Sequence, residues 1–478
     1  MIGLEKGDTI TIEITDMTEE GAGVGHFKSE GDGAQGLTVF VSGGAVIGDT
    51  VSCELTKVKK NYALANLKEV IEYSKHRRED VCSYINDCGG CAFGMLNYDA
   101  QLELKVNQLK NKLVRIAGVE SPKINPMIAY EPYLEGRESA YRNKAVMAVG
   151  EDEDGNPIVG FRGGKSHRIV DCETCLIQLP PVMALADALR EYMREYGVRA
   201  YNPRADKGLI KSLMVRTTHA RKEVMAAVSI NGTKLPEEEE FAYILDDSIQ
   251  SLDDEYSLES IIIIGSNGKS RVLAGKQRIR DELMGLRFDI SAESFYQVNS
   301  EQTVKLYEEA LRMLDAKEGE RIIDAYCGIG TIGLIAASRT KAEFLGIESV
   351  PQAVLDANKN AIRNLIVNAL FVEGKAEEVL VKLVADASKE VDSDYLEHFT
   401  SPDAIIVDPP RAGCAPELID AVVKAKPIRI VYVSCDQGTL ARDVKLLIDG
   451  GYELKETTPC DMFPDTGGLE SVSLLMLR

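Results

Sequence analysis

The 478-residue chain sets 55 Lys and Arg against 76 Asp and Glu, a net charge of −21, with ten cysteines and no tryptophan. That length allows two to four domains with separate cores, no stretch approaches the about 18 consecutive apolar residues of a membrane span, and ten scattered cysteines are too few for a disulfide framework. The acidic total argues against a nucleic-acid partner only until it is mapped along the chain.

Leu235 to Ser260 holds ten acidic residues and no Lys or Arg, whereas Phe161 to Lys222 has twelve basic against six acidic residues and Val51 to Arg78 seven against three. Two basic regions are thus hidden in the total, and a basic patch is the electrostatic footprint of nucleic-acid binding. The plain alternative is a set of solvated charged faces. Met1 to Lys6 has neither a basic n-region nor an apolar core, so no signal peptide is expected and the cytoplasm is the expected compartment.

Residues 1–72 read as short strands: Thr9 to Ile14, Leu37 to Val41, Asp49 to Leu55 and Tyr62 to Ala65, with Gly21 to Gly25 as a turn. Such spacing predicts a small closed OB-like barrel, and Lys57, Lys59 and Lys60 would suit single-stranded nucleic acid on its surface. Cys82-x5-Cys88-Gly-Gly-Cys91 follows, with Cys172 and Cys175 far downstream. The glycines permit a tight backbone in which neighbouring thiolates face one centre. Four thiolates suit zinc or an iron–sulfur cluster, and spacing alone does not separate them.

Tyr98 to Gly118 predicts a packing helix, with Leu102, Val106, Leu109, Leu113 and Ile116 at helical spacing. Residues 130–290 alternate strands and helices without a nucleotide fingerprint. Tyr141 to Lys144 and Gly160 to Lys165 put basic residues beside the cysteines, and the acidic 237–259 segment reads as a solvated loop with a helix. From residue 291 apolar strands at Arg321–Asp324, Phe344–Glu348, Ala404–Asp408 and Ile428–Ser434 alternate with helices at 331–338, 351–364, 415–425 and 438–448. This predicts an α/β, doubly wound, mainly parallel sheet, with two final strands at 451–458 and 471–477 antiparallel at its edge.

The first strand–helix turn of that sheet is Asp324-Ala-Tyr326-Cys327-Gly328-Ile-Gly330-Thr331, and Glu348 ends the next strand, where a carboxylate can hold ribose hydroxyls. A third fingerprint glycine and a GxxxxGK[ST] run are both missing, so S-adenosylmethionine fits better than a pyrophosphate. Asp408 emerges at the same carboxyl edge before Pro409 and Pro410. Cys435 ends a buried strand there, too, although a lone cysteine is more often a small buried hydrophobe than a nucleophile.

Together these stretches resemble the RNA uracil-5-methyltransferases that form 5-methyluridine. The resemblance rests on the TRAM-like barrel, Cys82/Cys88/Cys91, Ser294-Phe-Tyr-Gln297-Val-Asn299, Asp324-Ala-Tyr-Cys-Gly328, Asp408-Pro-Pro-Arg411, Tyr432-Val-Ser-Cys435, and Asp461-Met-Phe-Pro464 with Glu470. It implies a barrel over 1–72, a central α+β iron–sulfur and RNA-binding domain over 73–290, and a Rossmann-like methyltransferase domain over 291–478, on which helix 98–118 would pack. It implies Cys435 as the nucleophile adding to uracil C6, Glu470 as the base, and Gln297, Tyr326, Glu348 and Asp408 as contacts to the methyl donor. A [4Fe–4S] cluster is implied on Cys82, Cys88, Cys91 and Cys175. Cys175, rather than Cys172, follows the family's Ile169-Val170-Asp171 run.

The iron–sulfur branch points to 23S ribosomal RNA; the rival readings are the T-loop uridine of tRNA and a non-catalytic RNA-binding protein that retains the fold. No membrane and no obligate protein partner are expected. Cys435 needs thiolate character, for which Arg442 is a candidate helper. Asp436-Gln437 stands where the family usually has Asn-Pro, and Gly468 where it commonly has His.

Overall fold

The computed structural model describes residues 4–28, 36–79, 81–136, 140–164, 168–252, 255–385, 396 and 398–478. Lys165 of the basic turn and Asp253 and Asp254 of the acidic segment lie outside the described residues.

The amino-terminal strands close into a barrel in the order Thr9–Met17, Gly23–Phe27, Leu37–Ser42, Tyr62–Glu72, Thr50–Val58. Alternation drives it: Ile10, Ile12, Ile14, Val39, Val41, Val51, Cys53, Leu55, Ala63 and Ala65 point inward as one core. The expected Gly21–Gly25 turn is in fact largely a strand. A Cβ at Gly25 would come within 2.4 Å of the Glu13 carbonyl and one at Gly23 within 2.9 Å of the Ala45 carbonyl. Those glycines admit a close neighbouring backbone instead of reversing the chain.

The middle of the chain forms a second sheet of seven strands, ordered Ser270–Gly275, Ser257–Ile264, Glu223–Ile230, Ile210–Thr217, Lys144–Glu151, Pro157–Arg162, Ile169–Asp171. Only Glu223–Ile230 and Ser257–Ile264 pair in parallel within it. Helices Pro180–Glu195 and Glu238–Gln250 share one core with this sheet through Leu185, Leu189, Phe241 and Leu245. The acidic segment is thus a helix with a buried face that leads into strand Ser257–Ile264.

The third sheet also has seven strands, ordered Ala369–Glu373, Glu343–Glu348, Arg321–Ala325, Ala404–Val407, Arg429–Ser434, Glu470–Leu477, Tyr452–Cys460. The first five are parallel and the last two antiparallel. Of the two closing strands only Tyr452–Cys460 is an edge; Glu470–Leu477 lies inside, against Arg429–Ser434. The strand order reverses between Arg321–Ala325 and Ala404–Val407, which opens a crevice at their carboxyl ends.

Helix Tyr98–Arg115 begins at Asn97, whose Oδ1 accepts from Ala100 N at 3.0 Å. Its Leu109 and Leu113 enter the core built around Ile323, Leu345 and Ile430 of this third sheet. Among the described residues no helix is long and apolar enough to cross a membrane.

Candidate active site

A cleft opens at the crevice, lined by Gln297, Tyr307, Asp324, Tyr326, Gly328 and Asp408 among others. Three of the four expected donor contacts, Gln297, Tyr326 and Asp408, therefore face one space. Glu348 stands at its border. Its Oε2 accepts from Gly328 N at 3.1 Å and its Oε1 from Val350 N at 2.8 Å, which fixes the glycine turn to the next strand.

Tyr326, with φ 65°, is a non-glycine residue in the left-handed region; such strain collects where a ligand-binding turn must be held open. Gln297 is seated from the central sheet, because Asn143 Nδ2 donates to its carbonyl at 3.0 Å and to Ser300 Oγ at 3.0 Å.

Asp324 is a site residue to which the sequence reading gave no role. Its Oδ2 accepts from Gly333 N at 3.0 Å, in the first turn of helix Thr331–Arg339, while its buried Oδ1 has no partner. Burial, with the charges of Asp408 and Glu348, pushes its carboxyl up to about 8. Burial alone pushes Asp408 up to about 7.

Cys435 follows directly on strand Arg429–Ser434 and is half-buried. Its thiol feels Glu470, Asp408 and Arg411, so Asp408 joins the cleft to the nucleophile. Burial first, then the two carboxylates, pushes the thiol up to about 12, and Arg411 alone of these charges opposes the shift. The expectation of a lowered thiol with Arg442 as helper is thereby corrected. The Arg442 guanidinium is taken by Asp443 Oδ1 at 2.7 Å and by the carbonyls of Ala412 and Cys414 at 3.0 and 3.1 Å. Arg411, next to the two prolines, is the cation at the nucleophile, and its place in Asp408-Pro-Pro-Arg411 was the available signal.

Glu470 is 3 % exposed, and its Oε2 is buried without a partner. Burial and Asp408 hold its carboxyl well above the usual range, opposed by Arg411. An orphaned carboxylate oxygen next to a thiol is costly to stability and suits a group that must accept a proton from a ligand.

The two departures flanking these residues have structural roles. Asp436 caps helix Gln437–Asp449, its Oδ1 accepting from Thr439 N at 2.8 Å. Buried Gln437 brackets Glu470: its Nε2 donates to Leu469 O at 2.7 Å and its Oε1 accepts from Ser471 Oγ at 3.2 Å. Gln437→Leu is expected to cost about 1–3 kcal/mol through these lost bonds, read as a lower urea midpoint; an unchanged midpoint would contradict that role. At Gly468 a Cβ would come within 2.9 Å of the Phe463 ring, so the missing histidine has no vacant slot to fill.

The cysteines gather elsewhere. Cys82, Cys88, Cys91, Cys172 and Cys175 line one largely apolar cavity with Phe161, Ile177 and Asp465. Gly89 packs on Gly164, where a Cβ would meet Cα at 2.8 Å, and Cys88 bridges to Gly163. The glycines thus bring the cysteine segment onto the edge of the central sheet. The Cys172 thiol lies against Val170 O at 3.3 Å and pairs with the Cys88 thiol, while burial and then Asp465, Cys175, Cys88 and Cys82 act on Cys91, so all five cysteines share one neighbourhood. Among the described residues no group of three or more His, Cys, Asp or Glu is arranged to hold a metal ion.

Similarity to known proteins covers both ends of the chain. The profile of the family described as tRNA (Uracil-5-)-methyltransferase matches residues 97–478, and that of the TRAM domain residues 3–68. A protein of Caldanaerobacter subterraneus subsp. tengcongensis, named an uncharacterized RNA methyltransferase, is 39% identical over 98% of this chain and 98% of its own length. Another so named, from Halalkalibacterium halodurans, is 36% identical over 99% of this chain and 98% of its own. Among solved structures, the Pyrococcus abyssi tRNA (uracil-54, C5)-methyltransferase in complex with S-adenosyl-L-homocysteine has a TM-score of 0.71 and 28% identity, covering 98% of this chain and 100% of that one.

Proposed function

The chain belongs to the tRNA (uracil-5-)-methyltransferase family and is an RNA methyltransferase that uses S-adenosylmethionine; from that premise we propose that it methylates uridine C5 through a covalent bond between Cys435 and uracil C6. The observation that carries this reading is that Cys435 and Glu470 flank the paired residues Ser434 and Ser471 at the sheet edge where Asp408 also emerges, and that Glu470, Asp408 and Arg411 act on the Cys435 thiol.

Uracil C5 is a weak nucleophile. Addition of the Cys435 thiolate at C6 moves the ring electrons toward an enolate, and C5 then attacks the sulfonium methyl, releasing S-adenosylhomocysteine. C5 now carries both its hydrogen and the methyl group. Glu470 takes the proton, the C5–C6 double bond re-forms, and the C6–S bond breaks to return the thiolate. Arg411 favours the thiolate, and Gln297, Tyr326, Glu348 and Asp408 hold the donor. The target base must leave its stack to reach Cys435.

The Cys435 thiol and the Glu470 carboxyl are held high in the free protein, and each must lose its proton to act. The kcat/KM for RNA should therefore rise with pH from neutrality toward the thiol's value of about 12. A profile that falls across that window would contradict the assigned roles.

The cysteine cavity supports a [4Fe–4S] cluster on Cys82, Cys88, Cys91 and Cys175. The reading rests on the resemblance and on the soft thiols gathered at one cavity. The anaerobically purified protein is expected to contain iron and sulfide; stoichiometric zinc without iron would overturn this assignment.

The resemblance of the cysteine set to the iron–sulfur branch of the family implies 23S ribosomal RNA as substrate. A tRNA uridine is the second reading, favoured by the likeness to the Pyrococcus abyssi enzyme. Incubation of the protein and labelled S-adenosylmethionine with each unmodified RNA, followed by mapping of 5-methyluridine, separates the two. No transfer to either would sink the proposed reaction.

A further inference from the structure

The cysteine cavity and the base meet at Asp465, which lines that cavity and stands five residues before Glu470. Asp465 is 3% exposed and has φ 66°, a left-handed conformation that its surroundings must hold. One carboxylate oxygen accepts from Arg78 Nη1 at 3.1 Å and Gln101 Nε2 at 2.9 Å, the other from Tyr133 Oη at 3.0 Å. Its N–H donates to Gln101 Oε1 at 2.8 Å, and its carbonyl accepts at 2.8 Å from the N–H of Phe93, two residues beyond Cys91.

The chain between Asp465 and Glu470 has little slack. A Cβ at Gly467 would come within 1.9 Å of the Glu19 carbonyl, so this backbone lies pressed on the segment after the first barrel strand. Gln437 then holds Leu469. A displacement of the cysteine segment at Phe93 is thus passed along a confined loop to the start of the strand that carries Glu470.

We propose that Asp465 is a positioning residue that ties the wall of the cysteine cavity to the loop aiming Glu470, so that an intact cysteine centre sets the rate of C5 proton removal. This rests on the reading of Glu470 as the base. The dependent step comes after methyl transfer. When Glu470 is mis-set, the methylated uracil stays bound to Cys435 through its C6–S bond.

The test compares Asp465→Asn, Tyr133→Phe, Cys91→Ser and Glu470→Gln. Each is given unmodified RNA and methyl-labelled S-adenosylmethionine, and a denaturing gel reports label in the covalent protein–RNA band against label in free RNA. Glu470→Gln should trap label in the covalent band. Asp465→Asn and Cys91→Ser should do the same, with release of free methylated RNA slowed about 10- to 100-fold, and Tyr133→Phe should shift the partition in the same direction by less.

If Glu470→Gln traps the adduct but Asp465→Asn partitions like the unaltered protein, the positioning role is wrong and the base stands. Loss of label from both bands in Asp465→Asn also overturns it, since a general structural defect would do that. If Asp465→Asn does not fold, the partition in Tyr133→Phe decides. Absence of a covalent band in Glu470→Gln would instead sink the reading of Glu470 itself.

Discussion

Replacing Cys435 with alanine is expected to reduce methyl transfer to RNA by about 10⁴-fold or more, because the step that makes uracil C5 reactive is then lost outright. Among the described residues the surroundings offer no accessible substitute thiol: Cys460, paired with Glu470 on the neighbouring strand, is fully buried, and burial pushes its thiol far up. Cys327 lines the donor cleft but is buried, and burial with the charges of Asp324 and Glu348 pushes its thiol far up. Cys414 is buried among Asp443 and Tyr432. The check is single-turnover transfer of labelled methyl at matched protein and RNA concentrations, with melting of the variant followed in parallel. Turnover within tenfold of the unaltered protein would remove Cys435 from the mechanism.

Lys105→Met should have the largest effect on stability away from the reacting groups, about 3–5 kcal/mol. Lys105 Nζ donates to Asp461 Oδ1 at 2.7 Å and to Phe463 O at 3.0 Å, and the Lys105 and Asp461 side chains are both fully buried. The other Asp461 oxygen has no partner, so removing the ammonium strands a buried carboxylate. Chemical denaturation measures the loss. The double change Lys105→Met with Asp461→Leu should recover most of it, because replacing both charges leaves none unpaired. A single variant as stable as the parent would contradict the role assigned to this pair. The pair anchors helix Tyr98–Arg115 to the loop leading to Glu470, so the helix that periodicity marks only as packing also fixes the active-site loop.

Elements whose pattern is local were legible in the sequence. Alternation in Thr9 to Ile14 and the short strand at Asp49 to Leu55 announced the barrel, and the apolar run before Cys435 announced a buried strand at the correct end. Strand Ala369–Glu373 escaped because it is short and at the sheet edge, only part-buried, with no run of β-branched residues. Gly23 and Gly25 misled because a glycine that admits a neighbouring backbone looks in sequence like one that turns the chain.

At the site, residue types were readable and their electrostatic neighbours were not. In sequence Arg442 is the cation nearest Cys435, and only the fold shows that it is spent on Asp443 and two carbonyls while Arg411 acts on the thiol. Asp436 and Gly468 stood out as departures from the family pattern; one is a helix cap and the other lies against Phe463. Asp465 and Gln437 act through contacts with segments hundreds or tens of residues away, which no local pattern encodes.

The central claim, a covalent Cys435–C6 intermediate, is tested most directly with RNA in which uridine is replaced by 5-fluorouridine. Glu470 cannot remove fluorine as it removes a proton, so the reaction should halt after methyl transfer. Mass analysis of the digested protein should then find the Cys435 peptide carrying a methylated fluorouridine nucleotide, with S-adenosylhomocysteine released in equal amount. An RNA adduct on another residue, or methylation of unsubstituted RNA with no adduct on the fluorinated one, would contradict the account.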